Sequence, residues 1–429
     1  MQSQRQQQQQ HQHQSTRPAN QWVPSLYFAQ GLPFFVVTLL STVMYKTLAV
    51  SNTLIVIAVS CFFFPWIMKP FLALLVEGVS VKRRWAVTME FLIGLGLMAL
   101  ALSLAADSFF VSSVVLFLSV GCFSALHDIS SDGYYLIALS LPDQYRCVGH
   151  RNCFYQLAQF TCHGGLIALA GWLALTWSVT IAWQMVLLIA ATVMIIISMW
   201  HAWQLPQVES GTTGSSRLAK LWPIQQDIIR EWFSLKQKGL FLLFVLLFNG
   251  ADAQLGRIVP LFFLDDTAQH GLALSTVQVS HVLAVGVVAL IGGAFLLSRC
   301  LRSWSLYVVI RWASVAMIVS HVGYLLLVFK PIASLLGVMV IHAIAQAIFG
   351  FGNSAYMALL MKETGGKNYP AAFFALMTAL MSLCFLVFGL SEAVLQVWLP
   401  FSMLFLFAGL FSIGIAALTW RVTTSARWL

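Results

Sequence analysis

The stretch "FFVSSVVLFLSVGCFSAL", residues 109–126, runs for 18 residues without a charge, and several comparable runs follow it and precede it. About 18 apolar residues is the length at which a helix reaches across the hydrocarbon core of a bilayer. Within that core the backbone has to satisfy its own hydrogen bonds, which a single segment does as an α-helix. Only 9% of the chain is charged and 60% is hydrophobic, whereas a soluble domain carries about a quarter charged residues. The sequence therefore predicts an all-α, multi-pass membrane protein.

Hydropathy divides the chain into twelve expected spans. In the first half they are 23–45, 53–77, 85–106, 109–132 (or on to 141), 152–177 and 180–202. In the second half they are 239–264, 275–298, 304–328, 332–361, 369–395 and 398–421. Between the halves, 203–238 is polar, rich in Gly, Ser and Thr, and holds five basic residues. It reads as a cytoplasmic linker between two six-helix bundles, 22–202 and 239–421, with tails at 1–21 and 422–429. The first tail, "MQSQRQQQQQHQHQSTRPANQ", lacks the apolar core of a secretory signal and reads as disordered.

Charge placement tests the span count. With the N-terminus inside, cytoplasmic segments hold 18 of the 23 basic residues and outside loops hold only Lys46 and Lys330, while Lys69, Arg257 and Arg311 fall within spans. Basic residues are retained on the cytoplasmic side, so this split supports an even number of spans with both termini inside. The net charge of +9 then reports topology and contact with anionic lipid, and makes no case for nucleic acid. Six plus six spans around a basic linker is the layout of major facilitator transporters, whose halves are repeats with a substrate site between them. One faint echo joins the halves: Asp132 with Tyr135 in the fourth span, and Asn353 with Tyr356 in the tenth.

The seven cysteines are scattered and mostly apolar in setting, which implies small core residues and no disulfide framework. Cys147, His150 and Cys153 have loose metal-like spacing but lack a second cysteine pair, and His11 and His13 sit in a tail that would have to be ordered to bind. No metal or cofactor is expected, and a monomer is.

A charge in hydrocarbon costs a few kcal/mol or more, so every ion within a span needs a partner, a wet cavity or a neutralising proton. Asp128 and Asp132 in "HDISSDGYY" stand at i and i+4, on one helix face about 6 Å apart. Two acids that close favour a shared or transferable proton. The alternative is that Lys69 or Arg151 pairs with them and they only latch the bundle. If the fourth span ends near 132 both acids lie at its rim; if "LIALSL" continues the helix, Asp128 moves toward the middle.

In "LFNGADAQLGRIVP", Gly250, Gly256 and Pro260 weaken the seventh span around Asp252 and Arg257. Interrupted helices are where carriers build binding sites. Arg257 offers a bidentate fork for an anionic group, unless Asp252 pairs with it internally. "YFAQGLPFF" places Gln30, Gly31 and Pro33 in the first span, either as a bend with a substrate-facing amide or as a close helix contact. His163, His281, His321 and His342 read as helix-contact residues before proton relays. Glu90 and Glu392 have no evident role beyond pairing with nearby basic groups.

These motifs carry a resemblance. "FSALHDISSDGYY" resembles the fourth-span signature S-A-x-Q-D-I-x-x-D-[AG]-[WFY] of the AmpG-like muropeptide permeases and related acetyl-CoA transporters. "YFAQGLP" resembles their first-span G-L-P element, and "KPFLALLVEGVSVKRRW" resembles K-F-L-W-S-P-L-x-D followed by a basic run. His127 stands in place of glutamine, Glu77 in place of aspartate, and the proline moves to Pro70. The likeness is best over residues 25–165, and siderophore permeases share the pattern. It implies a major facilitator fold and, for AmpG itself, inward proton-linked transport of anhydromuropeptides across a bacterial inner membrane.

The resulting expectation is a proton-coupled importer working by alternating access, with a small molecule and protons as partners. Asp128, Asp132, Lys69 and His127 are assigned to proton coupling or gating, and Gln30, Asp252 and Arg257 to substrate. Glu77, Lys82, Arg83 and Arg84 are assigned to a cytoplasmic gate. An intramembrane aspartyl protease also buries two acids, but it needs them facing from two helices. A transporter-like sensor would carry an appended soluble domain, and the longest polar segment here is 36 residues.

Overall fold

The computed structural model describes residues 18–208, 226, 238–329, 334–364 and 370–424. The expectations for most of the first tail with His11 and His13, for the linker beyond 208, for Lys330 and for the end of the chain lie outside the described residues.

Among the described residues the chain forms twelve helical tracts. The first six are α1 (Ala19–Thr47), α2 (Asn52–Ile67 and Lys69–Val79), α3 (Lys82–Ser103), α4 (Phe109–Ala138), α5 (Leu141–Phe160, continuing to Leu173) and α6 (Val179–Gln204). The second six are α7 (Gly239–Leu264), α8 (Thr276–Cys300), α9 (Leu306–Phe329), α10 (Leu335–Thr364), α11 (Pro370–Trp398) and α12 (Phe401–Thr424). Ten are long and apolar enough to cross a membrane, and eleven if the two parts of α2 count as one span. The remaining tract, α5, carries Gln156, Gln159 and His163 where its neighbours carry apolar residues.

Local chemistry explains the irregular points. Pro33 lies inside α1, and three residues later the helix widens into a π turn at Val36–Leu40, as expected where a ring removes a backbone donor. In α2, Lys69 and Pro70 open the second segment, the one stretch of a helix that tolerates proline without strain. The α4 helix takes the longer of its two expected forms and ends at Ala138. Leu139 is extended, and Ser140 caps α5 by accepting from the Asp143 amide, with Pro142 in the first turn. This cap starts α5 eleven residues before the expected span.

Two compact units divide the chain. The first comprises Met1–Val37, Met68–Thr161 and Trp183–Asp227; the second comprises Thr38–Ile67, Cys162–Ala182 and Ile228–Leu429. Three of the five crossings fall at an irregular point of a helix: the π turn of α1, the break in α2 and the π turn Thr161–Leu166 of α5. In the first unit α3 packs along α4, and the first half of α1 packs along α5. Residues 203–208, expected as linker, are anchored there: Leu205 is buried and Pro206 accepts the Tyr134 hydroxyl at 2.8 Å.

In the second unit α8 and α10 are in closest approach, through glycines. A Cβ at Gly293 would stand 1.9 Å from the Ala347 carbonyl oxygen, and one at Gly350 would stand 2.1 Å from that of Leu290. Neither neighbour is a flexible side chain, so the helices would have to separate. Gly350→Ala is expected to lower the melting temperature of the purified protein in detergent by several degrees, equivalent to about 1–3 kcal/mol.

Candidate functional site

The opening acids of "HDISSDGYY" lie on one face of α4, and the first unit supplies each with its own cation. Asp128 is ten residues from the end of α4, about 15 Å at 1.5 Å per residue. It forms an ion pair with Lys69, from the first turn of the second α2 segment, and accepts from the Gln30 amide of α1. Asp132, one turn on, accepts from the Tyr27 hydroxyl at 3.0 Å and pairs with Arg151 of α5 at 3.1 Å. The Arg151 guanidinium also lies over the Tyr27 ring, 4.6 Å from its centre. The formal charges of two acids and two cations cancel, so the cluster is charge-balanced.

Packing sets this arrangement. At Gly31 a Cβ would be 2.9 Å from the Ala158 Cβ and 3.0 Å from the Tyr155 carbonyl oxygen. The absence of a side chain there lets α1 lie against α5 and carries Tyr27 and Gln30, three apart on one face, to the acids. The Gln30 carbonyl oxygen is buried with no hydrogen-bond partner.

His127 belongs elsewhere. Successive residues on a helix diverge by about 100°, and His127 turns from Asp128 into a fully buried group with Glu90 of α3. Its Nε2 lies 2.9 Å from Glu90 Oε1, and His201 Nδ1 of α6 lies 2.7 Å from the same oxygen. His201 Nε2 continues to Ser25 Oγ at 2.8 Å, and Ser131 approaches His127 at 3.1 Å. Both contacts to Glu90 are satisfied when each histidine donates an N–H. Glu90→Ala leaves the His201 Nδ1 donor buried and unpaired and His127 Nε2 with Ser131 alone, so it is expected to cost about 1–3 kcal/mol. Thermal melting of the purified protein checks this, and uptake should fall only with the amount of folded protein.

Of the residues assigned to a gate, Glu77 and Lys82 stay together and Arg83 and Arg84 part from them. Lys82 pairs with Glu77 at 2.8 Å across the α2–α3 turn, and its stem covers Gly133, where a Cβ would be 2.6 Å from Lys82 Cε. Arg83 donates from Nε to the Leu205 carbonyl at 2.7 Å and also to Ala202, satisfying free carbonyls at the end of α6. Arg84 is exposed.

In the second unit α7 is interrupted at Phe248–Asn249, just before Gly250, and Pro260 is accommodated inside the helix. Asp252 lies in the first turn after the break and receives His321 Nε2 of α9 at 3.1 Å. His321 reaches on to Ser412 of α12. Asp252 and Arg257 therefore do not form the internal pair. Arg257 is 4% exposed, its guanidinium lies 4.7 Å from the Phe63 ring centre, and its Nε and Nη2 have no hydrogen-bond partner. The Phe63 ring is in turn stacked on Phe385 of α11.

Other candidates take structural places. His342 bonds to the Tyr324 hydroxyl at 2.9 Å, His163 is buried in the π turn of α5, and His281 is exposed. Arg311 donates to the Thr423 hydroxyl and carbonyl, both at 2.6 Å, near the end of α12. Cys147, His150 and Cys153 share a helix without forming a metal cluster among the described residues. Lys46, expected in a loop, lies in the last turn of α1 and pairs with Asp265, which also receives Asn52 at 2.7 Å. The tyrosines of the sequence echo donate elsewhere, Tyr135 to the Gln144 carbonyl and Tyr356 to the Val245 carbonyl. Asp132 bonds to Tyr27 of α1 in the first unit, and Asn353 accepts from Asn249 beside α7 in the second, at 3.4 Å.

No protein-family model matches the chain, and no curated protein is found similar to it. Solved structures do match over nearly its whole length. The nucleoside transporter NupG is 15% identical, covering 96% of this chain and 100% of its own, with a TM-score of 0.67. A D-xylose-proton symporter is 14% identical, over 93% and 95% of the two chains, with a TM-score of 0.67. A POT family transporter in complex with 5-aminolevulinic acid is 13% identical, over 94% and 95%, with a TM-score of 0.72.

The fold is the major facilitator fold. At this identity the likeness carries architecture only, and the AmpG-like resemblance of the α4 motif is a separate matter of residues. Within a major facilitator chain, ions buried in the spans are exceptional by their cost. The α4 cluster and Arg257 are therefore two of the places where the fold departs from an apolar interior, beside the buried Glu90 and Asp252 groups.

Proposed function

We propose that this chain is a secondary transporter that imports an anionic or amphiphilic solute together with protons, by alternating access of its two six-helix halves. The observation that carries the reading is the charge-balanced cluster of Asp128, Lys69, Asp132 and Arg151. A proton arriving on Asp132 removes the partner of Arg151, and one arriving on Asp128 frees Lys69. Each event turns one ion pair into one unpaired cation and so shifts the balance between conformations. Likeness to a D-xylose-proton symporter supports proton coupling at the level of the fold.

Arg257 supports an anionic group on the solute. The α4 motif favours anhydromuropeptides, and a ferric siderophore is the competing solute with the same motif behind it. The location is a bacterial inner membrane, with a monomer as the working unit and both termini cytoplasmic. The test is uptake into proteoliposomes of bacterial lipid containing the full chain, driven by an imposed pH gradient. Labelled anhydromuropeptide is expected to accumulate and to stop when the gradient is collapsed with a protonophore. Accumulation of the ferric siderophore alone replaces the solute, and accumulation unaffected by the protonophore overturns the coupling.

A further inference from the structure

Asp252, His321 and Ser412 join α7, α9 and α12 across the middle of the second unit, and their hydrogens can be counted. Asp252 lies twelve residues before the end of α7 at Leu264, and Ser412 eleven after the start of α12 at Phe401, about 16–18 Å in each case. His321 is 1% exposed and touches both. Its Nε2 is 3.1 Å from Asp252 Oδ1, and its Nδ1 is bonded to the Ser412 hydroxyl oxygen. Ser412 has one hydrogen and donates it to the Ala408 carbonyl at 2.7 Å. Its oxygen is then the acceptor from His321, so Nδ1 carries a hydrogen. An ionised carboxylate only accepts, so a second hydrogen stands between Oδ1 and Nε2. Whether it sits nearer nitrogen or oxygen, the pair holds one hydrogen more than an ionised aspartate beside a neutral imidazole.

That hydrogen can leave without stranding a partner. When Nδ1 is bare, the Ser412 hydroxyl turns from the Ala408 carbonyl and donates to Nδ1, and Asp252 keeps its Nε2–H. The Ala408 carbonyl still serves its own helix. Both states are therefore hydrogen-bonded, and they differ by one proton. Asp252 Oδ2 is buried with no hydrogen-bond partner, so the acid leans on His321 alone. The similar bridge of His201 between Glu90 and Ser25 differs in access. The Glu90 and His201 side chains are both 0% exposed, whereas that of Asp252 is 12% exposed.

The titratable groups on the packed helices have their own settings. On α9, Tyr324 is one turn after His321 and bonds to His342 of α10, while Tyr307 and Arg311 near the helix start are held by Glu363 and Thr423. From α10, Tyr356 donates to the Val245 carbonyl and Lys362 lies over the Tyr307 ring. From α11 come Cys384, which feels the Asp252 charge as Tyr324 does, and Glu392, six residues from the end at Trp398. From α12 comes Arg421, in its last turn. The other helices packed on α7 bring Tyr45 and Lys46 near the end of α1, Cys61 from α2, and the exposed His281 and Arg299 with Cys300 from α8. Lys46 is paired with Asp265.

We propose that His321, held between Asp252 and Ser412, is a proton-binding site of the second unit, and that its proton travels with the anionic group on Arg257. On release the N–H bond at Nδ1 breaks, the electron pair stays on nitrogen, and the proton passes to water. Arg257 is five residues after Asp252 on the same helix, about 7.5 Å along its axis. With the proton in place, Asp252, His321 and Arg257 sum to one positive charge, which a monovalent anion cancels. Without it they sum to zero, and a bound anion would add a negative charge within the span. Proton and anion therefore favour each other's binding, equally in both directions. Coupling to the anion rests on the transport reading with Arg257 as anchor, whereas the proton site rests on the three side chains alone.

The site is tested by nitrogen NMR of the full-length protein in bacterial-lipid nanodiscs, with isotope-labelled histidine rings. One ring, identified by its absence in His321→Gln, is expected to hold a hydrogen on Nδ1 at low pH and to lose it as pH rises. Ser412→Ala, which removes the Nδ1 partner, identifies the same ring if His321→Gln does not fold. In Asp252→Asn no charge favours the extra hydrogen, so Nδ1 is expected to stay in one state over the same range. A His321 Nδ1 that does not change across the pH range in which the protein stays folded overturns the site. So does a titration that ignores Asp252→Asn. In proteoliposomes, His321→Gln is expected to lose gradient-driven accumulation of anhydromuropeptide, and wild-type accumulation there overturns the coupling. Failure of the transport reading would appear instead as absent uptake by the wild-type protein with Nδ1 still titrating.

Discussion

Asp132→Asn is expected to abolish gradient-driven uptake while the protein remains folded and in the membrane. Asparagine keeps the volume and still accepts the Tyr27 hydroxyl, so what it removes is the charge opposite Arg151 and the capacity to take a proton. The stability cost should be small. The Asp132 and Arg151 side chains are 39% and 35% exposed, and pairs with that much solvent access are worth about 1 kcal/mol or less. A large loss of uptake would therefore be functional in origin. If the pair only latches the helices, Asp132→Asn should leave uptake driven by the pH gradient, and Arg151→Gln should behave alike. The double substitution separates the two further. A latch predicts that removing both charges leaves transport in place, as in either single variant. Coupling predicts no restoration, because the proton acceptor is still missing. Wild-type accumulation in Asp132→Asn, measured in the same proteoliposomes, would remove the residue from the coupling machinery.

Much of this arrangement is legible in the residues, and the rest fails for reasons of geometry. The apolar runs locate the twelve helical tracts of the described residues, and for the ten or eleven that are long and apolar enough to cross a membrane the length is set by the bilayer rather than by tertiary context. Where the start is missed, as at Leu141, the helix projects beyond its apolar part and begins at a Ser140 cap followed by Pro142, a signal independent of hydropathy. The i, i+4 spacing of Asp128 and Asp132 places them on one face, and the Lys69–Asp128 pair follows from there being few cations within spans. Tyr27 is missed although it is three residues from Gln30 and shares its face, because tyrosine does not stand out in an aromatic-rich chain. His127 is placed beside the aspartates in sequence and away from them in space, for adjacency along a helix is not adjacency around it. The Glu90–His201 contact spans 111 residues and three helices, and no local spacing rule reaches it.

Arg257→Met is expected to move two measurements in opposite directions. In the folded protein the guanidinium is 4% exposed, Asp252 is engaged with His321, and the Phe63 ring covers one face. Two of its nitrogens, Nε and Nη2, have no hydrogen-bond partner. A residue that served stability alone would be poorly served by this setting, since a buried cation without a counterion costs several kcal/mol and a cation–π contact returns about 2. Methionine of similar length fills the same space without that cost, so the melting temperature should hold or rise. Uptake should suffer. Losing the charged partner of a buried anionic group costs about 2–5 kcal/mol, which is roughly a 30-fold or greater rise in half-saturation concentration. Arg257→Lys should recover only part of it, because a point charge cannot reproduce the planar fork. A structural arginine would give the reverse pattern, with a lower melting temperature and an unchanged half-saturation. The sign of the stability change thus decides between the two before any solute has been identified, since a side chain kept at a cost to the fold is kept for what it binds.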